Sequence, residues 1–471
     1  MEAYEDYNHE HLDDKELMKE VERFEQMLQE GEIGFMDLST IEDLYFYFSL
    51  TEQPEKNFAL LQSGILHFPY NDSLLYKLSM VHLKQGNTDL ALEQVEKAIK
   101  IAPHNMLALV QKARILSQSG DLNAAILFLS DALTYQYADA EVYYHLGHLC
   151  QEGGFYKRAI EYYQKALAGN PEIQDIVFDL ASCYEWAEEI VPGIQFLKNW
   201  VSVMPDSQPA WHCLGHLYQQ IGFYENAIAA FQYAMALEEE FFISHYQIGV
   251  CYMAIEKYQD AISSFMAAIR LDSHDLFALF SLAECYESIE QFEHARSYYK
   301  RCTQIAPNMF EAWHGYAATL EAQEKYYEAI TFYKTAVELN DQDAEAWLGL
   351  ATCEYKVGNE FSAQEALQKA IQLNPEDPQL FEDWASMLLE DGEPAAALQL
   401  LRCGISENPL SPVLQYQFAA IAFQLGKAKE AREYLENALV LDYDARFVLF
   451  QYNPELKKLP FITDLITFYK P

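Results

Sequence analysis

A period of 34 residues limits this chain more than any other feature. Trp211, Leu214, Gly215, Tyr218, Ala227, Phe231 and Ala234 are followed 34 positions on by His245, Ile248, Gly249, Tyr252, Ala261, Phe265 and Ala268. The series continues with Leu279, Leu282, Ala283, Tyr286, Ala295, Tyr299 and Cys302, and Trp313 and Trp347 fall at the place of Trp211. Upstream, Tyr143, Leu146, Gly147, Ala159, Tyr163 and Ala166 match the same frame. The register runs without insertion from Leu38, taken here as position 1, to Ala445, which makes twelve repeats. Apolar spacing within each repeat predicts two amphipathic helices, A and B. A helix pair of this size cannot bury its apolar faces alone, so neighbours must stack.

Turn chemistry punctuates the period. Position 15, between A and B, is glycine at Gly86, Gly120, Gly154, Gly222, Gly358, Gly392 and Gly426. Glycine suits the left-handed conformation that ends a helix. The remaining five repeats carry Glu52, Glu188, Glu256, Glu290 and Glu324 there, which no local rule explains. Pro54 and Pro394 fall in the first turn of helix B, where a missing N–H is tolerated. Position 8 is small (Gly147, Gly215, Gly249, Ala283, Ala317, Ala351), so helix B can approach closely. One repeat departs: Gly193 takes an alanine position and Trp200 a small one, which predicts local repacking.

These residues resemble the tetratricopeptide repeat (TPR) family, whose pattern is W-x2-L-G-x2-Y, then A-x3-F-x2-A, then P. The final proline is present as Pro69, Pro103, Pro171, Pro205, Pro307, Pro375 and Pro409. The resemblance covers most of the chain and implies an all-α, right-handed solenoid, a superhelix of antiparallel helix pairs. Three regions are expected: residues 1–37, an acidic leader and N-terminal capping helix; 38–445, the twelve repeats; and 446–471, a C-terminal capping partial repeat.

Charge narrows the partners. The chain carries 72 acidic and 31 basic residues, a net charge of −41. Nucleic-acid affinity comes from cations that neutralise phosphates, so nucleic acid and anionic membranes are not expected partners. A basic peptide or protein face is, the alternative being that the acidity serves only solubility. The start, MEAYEDYNHEHLDDKE, has no basic and apolar signal pattern, no apolar run is long enough to span a membrane, and the eight cysteines form no CxxC pair. A cytoplasmic location is expected.

Catalytic and metal motifs are missing. Cys183, Cys251, Cys285 and Cys353 share position 10 and read as small core hydrophobes. His212 and His216 stand four apart on one helix, but the stretch is HCLGH, without the acid of HExxH. Their neighbours Phe178, Ser182, Tyr246 and Val250 are poor zinc ligands. No GxGxxG, P-loop or GxSxG sequence is present. No enzyme activity, cofactor or metal is expected.

By the resemblance, the concave groove is lined by helix A positions 2, 5, 9, 12 and 13. Position 5 then supplies Tyr76, Val110, Tyr144, Phe178, His212, Tyr246, Phe280, His314 and Leu348, either open to a partner or packed on the neighbouring helix. The five positions hold twelve acidic residues, Glu185 and Glu284 among them, against Lys84, Arg114 and Lys356. His148 and His216 occupy position 9. The groove is acidic, which disfavours binding acidic chaperone tails, and position 6 lacks an asparagine ladder. The expectation is a stand-alone, multi-repeat bacterial type of TPR scaffold binding a basic segment through Tyr76, Tyr144, His148, Phe178, Glu185, His212, His216, Tyr246, Phe280, Glu284 and His314. The alternative is a structural protein, a homo-oligomer assembled through repeat edges and end caps.

Overall fold

The computed structural model describes residues 15–31, 33–134, 139–237 and 242–470. The acidic leader through residue 14 therefore lies outside the described residues. Twenty-seven α-helices and no strand occur among those described. The chain divides into two compact units, Met1–Glu239 and Glu240–Pro471.

In the first unit, α1 (Lys15–Glu30) precedes α2 (Leu38–Leu50), α3 (Pro54–His67), α4 (Asp72–Lys84), α5 (Thr88–Ile101), α6 (Met106–Gln118) and α7 (Leu122–Thr134). There follow α8 (Ala140–Glu152), α9 (Tyr156–Gly169), α10 (Ile176–Trp186), α11 (Ile190–Val203), α12 (Gln208–Gln220) and α13 (Tyr224–Leu237). The second unit holds α14 (Phe242–Ala254), α15 (Tyr258–Leu271), α16 (Leu276–Ser288), α17 (Phe292–Ile305), α18 (Phe310–Glu321), α19 (Tyr326–Leu339), α20 (Ala344–Lys356) and α21 (Glu360–Leu373). It continues with α22 (Pro378–Glu390), α23 (Pro394–Glu407), α24 (Pro412–Gln424), α25 (Ala428–Leu441), α26 (Phe447–Tyr452) and α27 (Pro460–Phe468). From α2 to α25, helix A spans positions 1–13 and helix B positions 17–30 almost without exception.

The repeat sets its own boundaries. Position 34 caps the next helix A: Asn71 Oδ1 accepts from the Leu74 amide at 2.9 Å, and Asp275 and Asp377 cap α16 and α22 alike. Position 15 ends helix A with positive φ. The seven glycines lie between 72° and 91°, and the five glutamates between 55° and 59°. Glu and Gly thus adopt one backbone conformation, and all five Glu side chains are exposed. At position 4 the tryptophan indole does more than fill space. Trp211 and Trp313 donate Nε1–H to the carbonyls of Pro205 and Pro307 at 2.9 Å, and Trp347 to that of Asp341 at 3.1 Å. In the last repeat Gln415 makes the same bond to Pro409 at 2.8 Å.

The core is built around the position 24 ring. Tyr163, Phe231, Phe265, Tyr299 and Tyr333 are almost wholly buried. Where position 8 is glycine, the ring lies against it. A Cβ on Gly249 would meet Phe265 at 2.6 Å, and one on Gly215 would meet Phe231 at 2.7 Å. Where position 8 is Ala283 or Ala317, the ring finds its room in the next repeat instead. A Cβ on Gly315 would meet Tyr299 at 2.5 Å, and Gly349 is as close to Tyr333. Each ring therefore needs one missing Cβ, at its own position 8 or at position 6 of its neighbour.

The departing repeat is repacked. α10 starts two residues late, at Ile176. Gly193 leaves no room for a Cβ, which would lie 2.8 Å from Tyr184 and 2.9 Å from Leu217. Trp200 stacks on Phe196 with centroids 6.1 Å apart. The four position 10 cysteines are fully buried, and burial pushes the Cys183, Cys251 and Cys285 thiols up to about 12.

Candidate functional site

The expected residues lie on the A helices of both compact units. In the first, Tyr76 and Tyr144 are half-buried, and Phe178 is 38% exposed. Tyr144 leans on the buried Tyr163 at 6.1 Å and on His148 at 6.5 Å. Phe178 and His212, at position 5 of successive repeats, stand 6.1 Å apart, and His212 rests on Phe231 at 5.3 Å. Position 5 is thus both open and packed, seated on the position 24 ring of its own repeat. Burial, reinforced by the nearby His216, pushes His212 down to about 4, so it is neutral near pH 7. His145 is held at about 4 for the same first reason, with His148 adding to it. His148 Nδ1 lies 3.6 Å from Glu152. His216 and Glu185 are half-exposed. Among the described residues, no three of His, Cys, Asp and Glu converge as metal ligands would.

In the second unit the expected residues rest on the rings of their own repeats. Tyr246 leans on Phe265 at 5.7 Å, Phe280 meets Tyr299 edge-on at 5.5 Å, and His314 leans on Tyr333 at 5.7 Å. His314 Nδ1 is 3.6 Å from Asp343. Beside these rings stand Glu284, Glu287 and Glu321. Tyr299 Oη donates to Glu287 Oε2 at 2.7 Å, and Tyr333 Oη to Glu321 Oε2 at 2.6 Å. All three carboxyls titrate above the ordinary range. Burial is the first cause in each, and for Glu284 the adjacent Glu287 is the second. The tyrosine hydroxyls and the charge of His314 oppose the shift at Glu287 and Glu321 without cancelling it. Among the described residues, no lysine or arginine lies within ion-pair distance of the three.

The tyrosine–position 12 bond was not foreseen from the sequence. It recurs as Tyr163 Oη donating to Gln151 Oε1 at 2.5 Å. Tyr163 accompanies Gln151, Tyr299 accompanies Glu287 and Tyr333 accompanies Glu321, while Phe265 accompanies Met253; Phe231 beside Gln219 shows that the pairing is not strict. A second acidic patch at position 5 and 6 of α22 joins Glu382 and Asp383. Burial first, then Asp383 and Asp377, push Glu382 up to about 7.

Comparison with known proteins agrees with the repeat. Tetratricopeptide repeat models match residues 82–147, 140–172 and 208–241. The model of the cilia and flagella-associated protein 70 C-terminal domain, a TPR domain, matches residues 243–446. The chain is a tetratricopeptide repeat protein. It is similar to human protein O-mannosyl-transferase TMTC3, 25% identical over 140 residues, which is 29% of this chain and 15% of that protein. This TPR protein thus spans a small part of that relative. Among solved structures it is similar to the C-terminal part of a TPR repeat-containing protein from Cytophaga hutchinsonii (18% identity, 51% of this chain and 98% of that one, TM-score 0.44). It is also similar to YrrB, described as a TPR protein with an unusual peptide-binding site (20% identity, 40% of this chain and 96% of that one, TM-score 0.36). The TPR fold serves as a protein-interaction scaffold. No described helix is long and apolar enough to cross a membrane.

Proposed function

We propose that this TPR protein is a non-enzymatic scaffold whose helix A wall holds a basic segment of a partner protein, with the wall from Tyr246 to Glu321 as the main contact. The observation that carries the reading is the row Glu284, Glu287 and Glu321. These carboxyls are half-buried, share a face and have no cation paired with them among the described residues. Removing charge from water without a partner is unfavourable. A lysine or arginine side chain supplies the missing charge and the charge-assisted hydrogen bonds. Tyr246 and Phe280 offer ring faces for cation–π contact beside them, and the net charge of −41 draws a basic segment in. In the first unit, Tyr76, Tyr144, His148, Phe178, Glu185, His212 and His216 form a wall with more aromatic contact and less charge.

The test is the affinity of an arginine-rich peptide, read by fluorescence anisotropy on the full chain. Glu287→Gln with Glu321→Gln removes two charges and keeps the acceptor for each tyrosine, as Gln151 does for Tyr163. The expected loss is about thirtyfold, from about 1 kcal/mol for each of the two charged contacts. Glu188→Gln, at an exposed turn, should change nothing. Equal affinity for all three proteins would remove the proposed wall.

A further inference from the structure

Along the second unit, positions 5 and 9 stay at least partly open: Tyr246, Phe280, His314, Leu348 and Glu382 at position 5, and Val250, Glu284, Ala318, Thr352 and Ser386 at position 9. α24 breaks the rule. Tyr416 and Ala420, its positions 5 and 9, are 0% exposed, and every residue from Leu414 to Ala422 is buried. A following repeat does not explain this. The helices α16, α18, α20 and α22 each have one and keep these positions open.

The segment after Arg446 covers α24. A thirteenth helix A would lie along α25, but α26 packs chiefly on α24. Val448, Leu449, Leu456 and Ile462 join Tyr416, Ala419 and Ala420 of α24 and Leu435, Ala438 and Leu439 of α25 in one buried cluster. The Tyr452 and Ser386 hydroxyls are hydrogen-bonded at 3.1 Å, so the segment reaches position 9 of α22 as well. Asn453 Nδ2 donates to the Ala420 carbonyl at 3.3 Å, and Phe461 stands 5.9 Å from Phe423 at position 12. Its charge is opposite to that of the chain. Residues 446–470 hold Arg446, Lys457, Lys458 and Lys470 against Glu455 and Asp464, a net of +2 beside −41 overall.

We infer that residues 446–470 are an intramolecular ligand of the helix A wall in the last two repeats, and that a partner segment of the same chemistry takes this surface by displacing them. That chemistry is a short helix with an aliphatic pair, and a tyrosine and an asparagine one turn on. The inference rests on the reading of the helix A wall as the partner surface.

The experiment uses the full chain and a fluorescent synthetic peptide of residues 446–470. Leu449→Glu places a charge in a fully buried site and undocks the resident segment. This variant should bind the peptide one to one and at least tenfold more tightly than the unsubstituted chain. Tyr452→Phe with Asn453→Ala, which removes only the two polar anchors, should fall between and serves if Leu449→Glu loses helix content by circular dichroism. Peptide binding no tighter in either variant than in the unsubstituted chain overturns the inference. An arginine-rich peptide titrated against the same proteins separates the two readings. If it binds and the 446–470 peptide does not, the resident-ligand inference falls and the wall stands. If neither binds, both fall.

Discussion

The five glutamates at position 15 make a quantitative prediction. Glu52, Glu188, Glu256, Glu290 and Glu324 hold φ between 55° and 59°, a conformation glycine adopts freely in seven sister repeats. An L-residue there is strained by about 1–2 kcal/mol. Replacing it with glycine loosens the unfolded chain and gives back about 0.4–1 kcal/mol. The exposed side chains contribute little to offset this. Each Glu→Gly change should therefore stabilise by about 0.5–1 kcal/mol net. The sites lie on separate repeats, so the effects should add to about 2.5–5 kcal/mol for all five. Urea unfolding followed by circular dichroism reads the total, and hydrogen exchange at the altered helix pairs reads each local part. The reverse change, Gly222→Glu, should destabilise by a similar amount. If the five-fold variant is no more stable than the parent, the left-handed turns are not strained and the estimate fails.

Other predictions follow from packing and charge. Gly249→Ala sets a Cβ against Phe265 and should destabilise by about 1–3 kcal/mol; adding Ser281→Gly, the neighbouring position 6, should recover part of this in the same denaturation assay. Glu354 is buried and bonded to Lys334 at 2.7 Å and Asn359 at 2.6 Å. Lys334→Met leaves that carboxylate half-satisfied and should lower stability by about 2–3 kcal/mol at pH 7, whereas a Lys334→Met, Glu354→Gln double variant should recover most of it. The two compact units should respond oppositely to mild acid. In the second, Glu284, Glu287, Glu321, Glu382 and Asp383 have raised pKa values. Its native state binds more protons than the unfolded chain above the ordinary carboxyl range, so its stability should rise as pH falls from 7 to 5, with the lowered His245 a smaller opposing effect. In the first, His82, His145 and His212 are lowered, the latter two to about 4. Its unfolded state binds more protons below pH 6.5, so stability should fall over the same range, with Asp179 opposing. Exchange protection measured unit by unit, corrected for intrinsic rates, checks both signs.

The period made the fold legible because each position repeats its physical demand. Gly86 and Gly222 mark the same turn, Trp211 and Trp313 fill the same place, and Cys251 and Cys285 are buried alike. What the period hides is what varies on it. The choice between Gly249 and Gly315 as the missing Cβ joins position 24 of one repeat to position 8 of the same repeat or position 6 of the next, and no single repeat reveals it. The Tyr299–Glu287 bond joins two helices through positions that read separately as packing and surface. Glu290 in a left-handed turn follows no local preference at all. The cover over Tyr416 comes from residues outside the register, where spacing carries no positional information. The helix A register of these residues is legible in the period, but the lack of a paired cation at Glu287 and Glu321 depends on burial and on which cations fail to reach them.

The most direct test of the central claim is proton release when a basic segment binds. Isothermal titration of an arginine-rich peptide at pH 6, in two buffers of different ionisation enthalpy, measures it. A cation beside Glu284, Glu287 and Glu321 lowers pKa values that burial has raised, so binding should release protons, and Glu287→Gln with Glu321→Gln should reduce the release. Binding with no proton release, and with the same affinity in that double variant, would contradict the account.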